Sequence, residues 1–456
     1  MTFEEASGKY SLFECIQLTE ANYQRSRPAF MPPEDPAFAI FLAQVRTGKA
    51  PKLRGRIAVD VTYLLKQSRV TGVQRVAFEL IRSFLAMSKA GGMELLFIGL
   101  NGTCFEMHEV SFDEHWPQFQ PTGKRAAFGP GDQVLIVDMM QDDYTDFFHA
   151  VYRARQAGAL VNFIMHDIIW LVNTAWASDG SAVKILVRWT QILRFADRLI
   201  CVSRKVSRDV ACYGAETSMV GLTPTRSLPV SYFTLGCDPV LSEETQASEP
   251  AFPVDGNTLV AVGTFTTRKG LVQLFQAVQQ LWAEGSDARL VLIGMDIGAA
   301  NTRRFLTGQP EFNKKLFLPG YVSDIDMKFA LENCGALVYP TLDEGFGLPL
   351  VEAARLGCPI IARDIEIFRE TSGGDAFFFE NGDAGKIAEG LRKWFALTRQ
   401  QQLTFVPKKS LVTWQQSAEM LKAIMFNDAA SFSVDVGLKA TVNLAVPKAT
   451  QETLNP

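Results

Sequence analysis

Histidine and cysteine are scarce in this chain of 456 residues, and neither type is arranged as a metal site. There are four histidines and seven cysteines, and no two of them have the spacing typical of zinc ligands. The cysteines are odd in number and scattered along the chain, which argues against a disulfide framework. We therefore expect reduced thiols, and neither a structural metal nor a disulfide-stapled secreted domain.

The chain also lacks long apolar runs and an excess of positive charge. No run reaches the roughly 18 residues of a membrane-spanning helix, and the N-terminal sequence MTFEEASGKYSLFEC has neither the basic nor the apolar region of a secretion signal. The formal net charge of −4 provides no general attraction to nucleic acid. We expect a cytoplasmic protein that binds no nucleic acid; peripheral contact with the inner face of a membrane stays open.

Near-continuous apolar strands alternate with helical segments in two successive stretches. The first stretch begins with a strand at Arg56 and continues with strands at 94–100, 133–140, 160–167 and 198–203. The second has strands at 259–263, 289–294, 316–320, 336–340, 359–363 and 376–380. Such alternation predicts parallel sheets covered by helices on both faces. The fold class is therefore α/β, with two doubly wound, Rossmann-like domains.

The length suits two domains of about 200 residues each. A polar segment at 241–257 with two prolines reads as the linker between them. The predicted boundaries are an N-terminal extension at 1–53, a first domain at 54–245, a second domain at 258–412, a C-terminal helix at 413–430 and a tail at 431–456. In such domains ligands bind at the carboxyl ends of the strands.

The segment ALVYPTLDEGFGLPLVEAA, residues 336–354, carries the strongest functional signal. An apolar strand ends in Glu344-Gly-Phe-Gly and is followed by a helix that carries Glu352. Free N–H groups and the helix dipole make such a corner an anion site, and Gly345 and Gly347 allow a ligand to approach the backbone. Two carboxylates beside it suit a ligand with a diphosphate and several hydroxyls. The alternative is a strand-to-helix turn with an incidental pair of acids.

A second corner has the complementary charge. In VGTFTTRKGLVQLF, residues 262–275, a strand ends and Arg268, Lys269 and Gly270 precede a helix. Two adjacent cations at a strand-to-helix corner suit a diphosphate, and this corner should face Glu344 across one sheet. A solvated basic helix cap is the alternative.

Three positions in the first stretch are weaker candidates. Gly72 opens a helix after a strand and would bring its backbone close to a cleft, although an ordinary helix start explains it as well. His166 ends a strand beside Asp167, where a buried core histidine is the alternative. Asp60 ends the first strand, and we expect it to hold the loop that follows.

Glu344 and Glu352, seven residues apart around G-F-G-L-P, resemble the E-x7-E signature of the retaining GT-B glycosyltransferases of family 4, the group 1 glycosyltransferases. Arg268-Lys269-Gly270 is similar to the family's R-K-G, closest to the branch that includes O-antigen mannosyltransferases. Thr264 stands where many members have arginine, and Arg268 is expected to supply that charge. The resemblance implies the GT-B fold, in which the two domains face each other across a cleft, and a last helix that crosses back to the first domain.

The resemblance also implies an activity: transfer of a hexose, with mannose the first expectation, from a GDP- or UDP-linked sugar to a hydroxyl of a saccharide or lipid-linked saccharide. Retention of anomeric configuration, a role in bacterial surface polysaccharide synthesis, and the absence of any cofactor or metal are implied with it. The implied catalytic residues are His166, Arg268, Lys269 and Glu344, and the implied donor-binding residues are Gly72, Gly345, Phe346, Gly347, Leu348 and Glu352. The resemblance places Glu352 on the ribose of the donor and Glu344 near the transferred sugar. A nucleotide-sugar epimerase or phosphorylase of the same fold, or a non-catalytic GT-B scaffold, are the alternatives.

Overall fold

The structure, a computed structural model, describes residues 56–66, 72–113, 116–138, 144–173, 181–219, 228–238, 250–295, 300–408, 411–426 and 434–435. The predicted extension at 1–53, most of the predicted tail and the end of the C-terminal helix segment lie outside the described residues. No helix in the described ranges has the length and apolar character needed to cross a membrane.

The strands belong to two sheets. The first sheet contains β1 (Arg56–Asp60), β2 (Glu94–Asn101), β3 (Cys104–Asp113), β4 (Trp116–Arg125), β5 (Gln133–Ile136), β6 (Leu160–Met165), β7 (Arg198–Cys201), β8 (Pro229–Tyr232) and β15 (Val434–Asp435). The second contains β9 (Thr258–Val262), β10 (Arg289–Ile293), β11 (Leu316–Gly320), β12 (Ala336–Tyr339), β13 (Ile360–Arg363) and β14 (Phe377–Phe379). Every strand predicted above is confirmed within a few residues.

The helices lie between these strands. They are α1 (Gly72–Lys89), α2 (Tyr144–Gln156), α3 (Ile169–Val172), α4 (Ser181–Phe195), α5 (Arg204–Met219), α6 (Leu271–Ala283), α7 (Ala300–Thr307), α8 (Asp324–Asn333), α9 (Leu348–Arg355), α10 (Glu366–Thr371), α11 (Ala384–Phe395), α12 (Arg399–Gln402) and α13 (Trp414–Phe426). Short 3-10 turns occur at Leu64–Lys66, Thr267–Lys269 and Leu403–Phe405.

The second sheet is parallel throughout its described strands. Its order is β11-β10-β9-β12-β13-β14, the arrangement of a doubly wound dinucleotide-binding fold. The chain leaves β9 toward one edge and returns at β12 toward the other. The loops after β9 and β12 therefore diverge at the topological switch point, where such sheets bind ligands.

The first sheet differs from the expectation of a purely parallel sheet. Its order is β15-β8-β7-β6-β5-β1-β2-β3-β4, and its strands from β8 to β2 pair in parallel. At one edge β3 and β4 add an antiparallel hairpin that sequence analysis missed, and at the other β15 pairs antiparallel with β8. The switch point of this sheet lies between β1 and β5.

Helix α13 connects the end of the second unit to the first. Hydrogen bonds join this helix to the first domain. The Trp414 amide donates to the Asp238 carboxylate at 2.9 Å, and the Ser417 hydroxyl donates to the Thr234 carbonyl at 2.7 Å. Gly236 is required there, because a Cβ would lie 2.5 Å from the Trp414 backbone. The helix also packs on α1. It thereby ties the two sheets into one molecule with a cleft between their strand ends.

Candidate active site

The two domains touch at the end of β6 and the loop after β12. A Cβ on Gly345 would lie 1.9 Å from the His166 carbonyl oxygen, so no larger residue fits at this approach. The Ser203 hydroxyl donates to the Gly345 carbonyl at 2.7 Å. The carboxylate of Glu370 accepts from the first amides of α5, Arg204 at 2.7 Å and Lys205 at 3.0 Å. The second domain thus caps a helix of the first.

Glu344 is the centre of the site on the second-domain side. Its side chain accepts hydrogen bonds from Arg268, Nη1 to Oε2 at 3.0 Å, from Lys269 to Oε1, and from the Tyr339 hydroxyl at 3.2 Å. The residue is 9% exposed. Arg268 also donates to the Asp343 carbonyl at 2.6 Å. The structure therefore brings together the two corners that sequence analysis placed across one sheet.

A glycine explains how the cations reach Glu344. Gly270 ends the 3-10 turn that carries Arg268 and Lys269, with φ of 66° in the left-handed region. A Cβ at this position would lie 2.6 Å from the Pro340 carbonyl oxygen. The Leu342 amide donates to the Arg268 carbonyl at 2.8 Å and joins the two loops. Only glycine combines this backbone conformation with so close an approach.

Charge pairing decides the ionisation of Glu344. Burial raises the pKa of its carboxyl, but the attraction of Lys269 and Arg268 outweighs burial, and the pKa falls below its ordinary value. Burial and the neighbouring carboxylate raise the pKa of Tyr339 well above its ordinary value. Glu344 is therefore an anion and Tyr339 a neutral donor at physiological pH.

The end of β6 supplies the opposing wall. The His166 ring binds the Val137 carbonyl through Nε2 at 2.8 Å, and because a carbonyl only accepts, Nε2 carries the proton. Burial lowers the pKa of His166, so the ring is neutral, although Asp138 acts in the opposite direction. Burial raises the pKa of Asp167, and Arg268 opposes it from across the cleft. The His166 side chain is thus held by Val137, the residue after β5, while its backbone meets Gly345.

Asp138 and Gln74, two polar residues on the same side of the cleft as His166, were not predicted from the sequence. Asp138 follows β5, and its carboxylate accepts from the Gln74 side-chain amide at 2.7 Å. Both are buried. Asp60, as expected, holds the following loop: it accepts from the Thr62 amide at 3.1 Å and from the Thr62 hydroxyl. The signal that could have identified Asp138 is its place just after a buried strand, as with His166.

Glu352 lies in α9 and faces a different part of the cleft from Glu344. Its carboxylate is 3.2 Å from the guanidinium of Arg75 in α1, which is also 4.0 Å from Asp324. Burial raises the pKa of Glu352, against the effect of Arg75. A pocket at this point is lined by both domains, through Arg75, Cys237, Asp238, Asp324, Met327, Lys328, Leu331, Glu352, Arg355 and Leu356.

The remaining predicted positions divide by their surroundings. Gly347 caps α9 with φ of 94°, and Leu348 begins that helix. The Phe346 side chain is buried in the core, so only its backbone is available to a ligand. Gly72 begins α1 at an exposed position, where a Cβ would have no neighbour within 4 Å. Its predicted contact with the donor stays a prediction.

Comparison with known proteins identifies the second half of the chain. Residues 242–404 match the family model of the glycosyl transferases, group 1. This segment is a group 1 glycosyltransferase domain. The group 1 family predicted from the sequence is confirmed for this segment.

Relatives extend the similarity into the first domain. The chain is 29% identical over 377 residues to the serotype-specific mannosyltransferase WbdA of Escherichia coli, covering 80% of this chain and 46% of that protein. It is 28% identical over 127 residues to the O-antigen chain mannosyltransferase RfbU of Salmonella typhimurium, covering 28% of this chain and 35% of that protein. The chain thus spans less than half the length of these curated relatives.

Solved structures establish the fold. The catalytic domain of starch synthase IV from Arabidopsis thaliana, bound to ADP and acarbose, aligns with a TM-score of 0.57 at 12% identity over 81% of this chain and 98% of its own. Sucrose-phosphate synthase from Thermosynechococcus elongatus aligns with a TM-score of 0.56 at 16% identity over the same shares. The group 1 domain and the first domain together form a GT-B fold, as predicted.

Proposed function

We propose that this chain is a retaining glycosyltransferase that moves a hexose from a nucleoside diphosphate sugar to a saccharide hydroxyl. The observation that carries the proposal is the Glu344 carboxylate held between Arg268 and Lys269 at the switch point of the second sheet. This corner faces the end of β6 in the first domain. The arrangement offers cations and an acceptor of hydroxyl groups within one cleft.

The two cations would stabilise the leaving nucleoside diphosphate. Arg268, Lys269 and Glu344 together carry one net positive charge, and their side chains are each less than 15% exposed. Negative charge develops on the diphosphate as the glycosidic bond breaks. The two cations are already in place to stabilise it, and electrostatic stabilisation is large in a site that is largely removed from water. Amides of the Gly345–Leu348 segment, at the start of α9, add donors. In this proposal no metal is needed for the step.

Glu344 would orient the sugar rather than attack it. Both of its carboxylate oxygens are engaged by cations, and the pKa lowered by Lys269 and Arg268 makes it a weaker nucleophile and base than a free carboxylate. The acceptor hydroxyl then attacks from the face of the departing phosphate. A phosphate oxygen of the leaving group takes the proton, and the anomeric configuration is retained.

Mannose from GDP-mannose is the proposed donor, and a surface polysaccharide or its lipid-linked precursor the proposed acceptor. The support is the similarity to mannosyltransferases named for O-antigen chains and serotype. His166, with a neutral ring beside the cleft, is proposed to contact a sugar hydroxyl as a hydrogen-bonding group rather than as a charged acid.

The first experiment is a thermal-shift panel of the purified chain with GDP, UDP, dTDP and ADP. A nucleotide at a hundredfold excess over its Kd stabilises the native state by about 2.7 kcal/mol, and we expect GDP to give the largest shift. The second is incubation of GDP-mannose with mannose-terminated oligosaccharides, with and without EDTA. Transfer should persist in EDTA, and NMR of the product should show the anomeric configuration of the donor.

Two results would overturn the proposal. Isomerisation or phosphorolysis of the nucleotide sugar without an acceptor would identify the epimerase or phosphorylase alternative. Nucleotide binding without transfer from any of the corresponding nucleotide sugars to any acceptor tested would identify a non-catalytic scaffold.

A further inference from the structure

Arg75 crosses from the first domain to the second. Its guanidinium lies 3.2 Å from the carboxylate of Glu352 in α9 and 4.0 Å from that of Asp324 in α8. The side chains of Arg75 and Glu352 are 26% and 21% exposed, so the pair is largely removed from solvent yet reachable from the pocket. A single cation thus contacts two helices of the other domain at the acid implied to hold the donor ribose.

The position of Arg75 is held by its neighbours. The preceding residue, Gln74, is buried and donates to the Asp138 carboxylate at 2.7 Å. On the other side of the cleft, the Ser323 hydroxyl accepts from the Asp326 amide and caps α8, which places Asp324 in the first turn. Arg75 and Asp324 therefore each lie in the first turn of a helix.

Resting on the proposed function, we propose that Arg75 is a positioning residue for the donor nucleotide. Held by the first domain, it orients the Glu352 carboxylate so that one oxygen stays available to a ribose hydroxyl. Recognition of the ribose by the second domain is then complete only when the first domain closes over it.

The electrostatics of the pocket support this role. Burial raises the pKa of Glu352, Arg75 opposes that rise and the charge of Asp324 adds to it. Asp238, Lys328 and Arg355 line the same pocket. Loss of Arg75 would leave a buried carboxylate beside another acid, with a greater tendency to bind a proton and cease to accept from the ribose.

Arg208 offers a matched control, because it is another arginine that crosses the domain interface. It pairs with Glu366 at an exposed position, and neither residue lines the pocket. A variant of Arg208 removes a cross-domain ion pair without touching Glu352. It separates a general effect on domain closure from a specific effect on Glu352.

The test is calorimetric titration of GDP and UDP into the whole chain and its variants. We expect Arg75→Gln to weaken binding of the nucleotide that the wild type binds by about tenfold, or ~1.4 kcal/mol, and Arg208→Gln to change it by less than about twofold, within ordinary surface effects. Arg75→Lys should recover part of the loss, because it keeps the charge but not the planar fork.

A double-mutant cycle shows whether Arg75 acts through Glu352. In the Glu352→Gln background, Arg75→Gln should cost less than about twofold, because the partner of the arginine is already neutral. The inference is overturned if Arg75→Gln binds the nucleotide as the wild type does, or if Arg208→Gln loses as much affinity. It is also overturned if Arg75→Gln costs as much affinity in the Glu352→Gln background as in the wild type. In each case nucleotide binding by the wild type still supports the proposed function. If Arg75→Gln does not fold, Arg75→Lys takes its place in the cycle. Its loss of nucleotide affinity must then be smaller in the Glu352→Gln background. A wild type that binds none of GDP, UDP, dTDP and ADP overturns both proposals.

Discussion

Glu344 and Asp60 are both buried carboxylates at the carboxyl ends of parallel strands, one in each domain, yet their pKa values move in opposite directions. Asp60 is 2% exposed and Glu344 9%. Burial raises the pKa of Asp60 to about 7, because the hydrogen bonds from Thr62 only partly oppose it and Asp138 adds to it. Lysine and arginine lower the pKa of Glu344. Charged partners, and not depth, decide which carboxyl is ionised.

The same contrast extends to the two walls of the cleft. The second-domain wall presents Arg268 and Lys269 around an anion. The first-domain wall presents a neutral histidine at the end of β6. This asymmetry fits the proposal that Arg268 and Lys269 meet the diphosphate, while His166 offers the sugar an uncharged hydrogen-bonding group opposite Glu344.

The largest expected effect is that of Glu344→Gln. Removal of the anion leaves two largely buried cations without their partner, and breaking such a buried pair costs about 3–5 kcal/mol. Urea unfolding at pH 7 measures the loss. Glu389→Gln is the control, because Glu389 lies in exposed pairs with Lys386 and Lys393 and its loss should leave stability near the wild-type value. Equal free energies of unfolding in Glu344→Gln and Glu389→Gln would show that the Glu344 carboxylate does not stabilise the fold through its cations, and the contrast with Asp60 would be wrong.

Asp60→Asn tests the other carboxyl through pH. The pKa of Asp60 is about 7 in the folded chain, against an ordinary value of 3.8 for this carboxyl. The folded state therefore holds the proton more tightly, and stability falls as pH rises between these two values. Between pH 5 and pH 8, ionisation of this one group lowers the free energy of unfolding by about 3 kcal/mol.

The amide cannot ionise but keeps an oxygen for Thr62. The difference in unfolding free energy between pH 5 and pH 8 should therefore shrink in Asp60→Asn. An identical pH profile in wild type and variant would show that the carboxyl does not titrate there.

Lys269→Ala tests the charged wall in catalysis. Loss of one cation that faces the developing charge should lower kcat by about 10²-fold, the usual effect of removing one stabilising group, while KM for the donor changes less. Steady-state transfer assays give both constants, and Lys393→Ala serves as a surface control on α11. A rise in KM with unchanged kcat would assign Lys269 to ground-state binding instead.

Glu352→Ala should have the smallest effect and the opposite signature. Loss of an acceptor for the ribose hydroxyls should weaken donor binding by about tenfold, as expected for one or two hydrogen bonds, while turnover at saturating donor stays near the wild-type value. Calorimetric titration of GDP and saturation kinetics measure the two quantities. Wild-type affinity would show that Glu352 does not contact the donor.

The corners of the second domain could be predicted because their constraints are local. Gly270 with φ of 66° and Gly347 with φ of 94° occupy conformations that favour glycine, so the R-K-G and G-F-G segments carry their backbone geometry in their own composition. The buried strands before them are short apolar runs. Neighbouring residues therefore suffice to indicate both the turn and its charge.

The hairpin of β3 and β4 could not be predicted in the same way. Strand β4 contains Pro117 and Pro121 among polar residues, a composition that argues against a strand in the interior of a sheet. It forms because β4 lies at the edge, paired on one side with β3. Whether a segment is an edge strand depends on the order of the whole sheet, which local pattern does not contain.

The sequence by itself determined the family, the alternation of strands and helices, and the charge of each corner, because these depend on residue type and on spacing within a few turns. Only the tertiary structure decided the partners. Glu344 meets cations of its own domain, whereas Glu352 meets Arg75 of the other. The packing of the two domains sets the distance between Arg75 and Glu352, and the packing of two loops within the second domain sets the distances around Glu344. Burial and these distances together give the pKa shifts of the two acids.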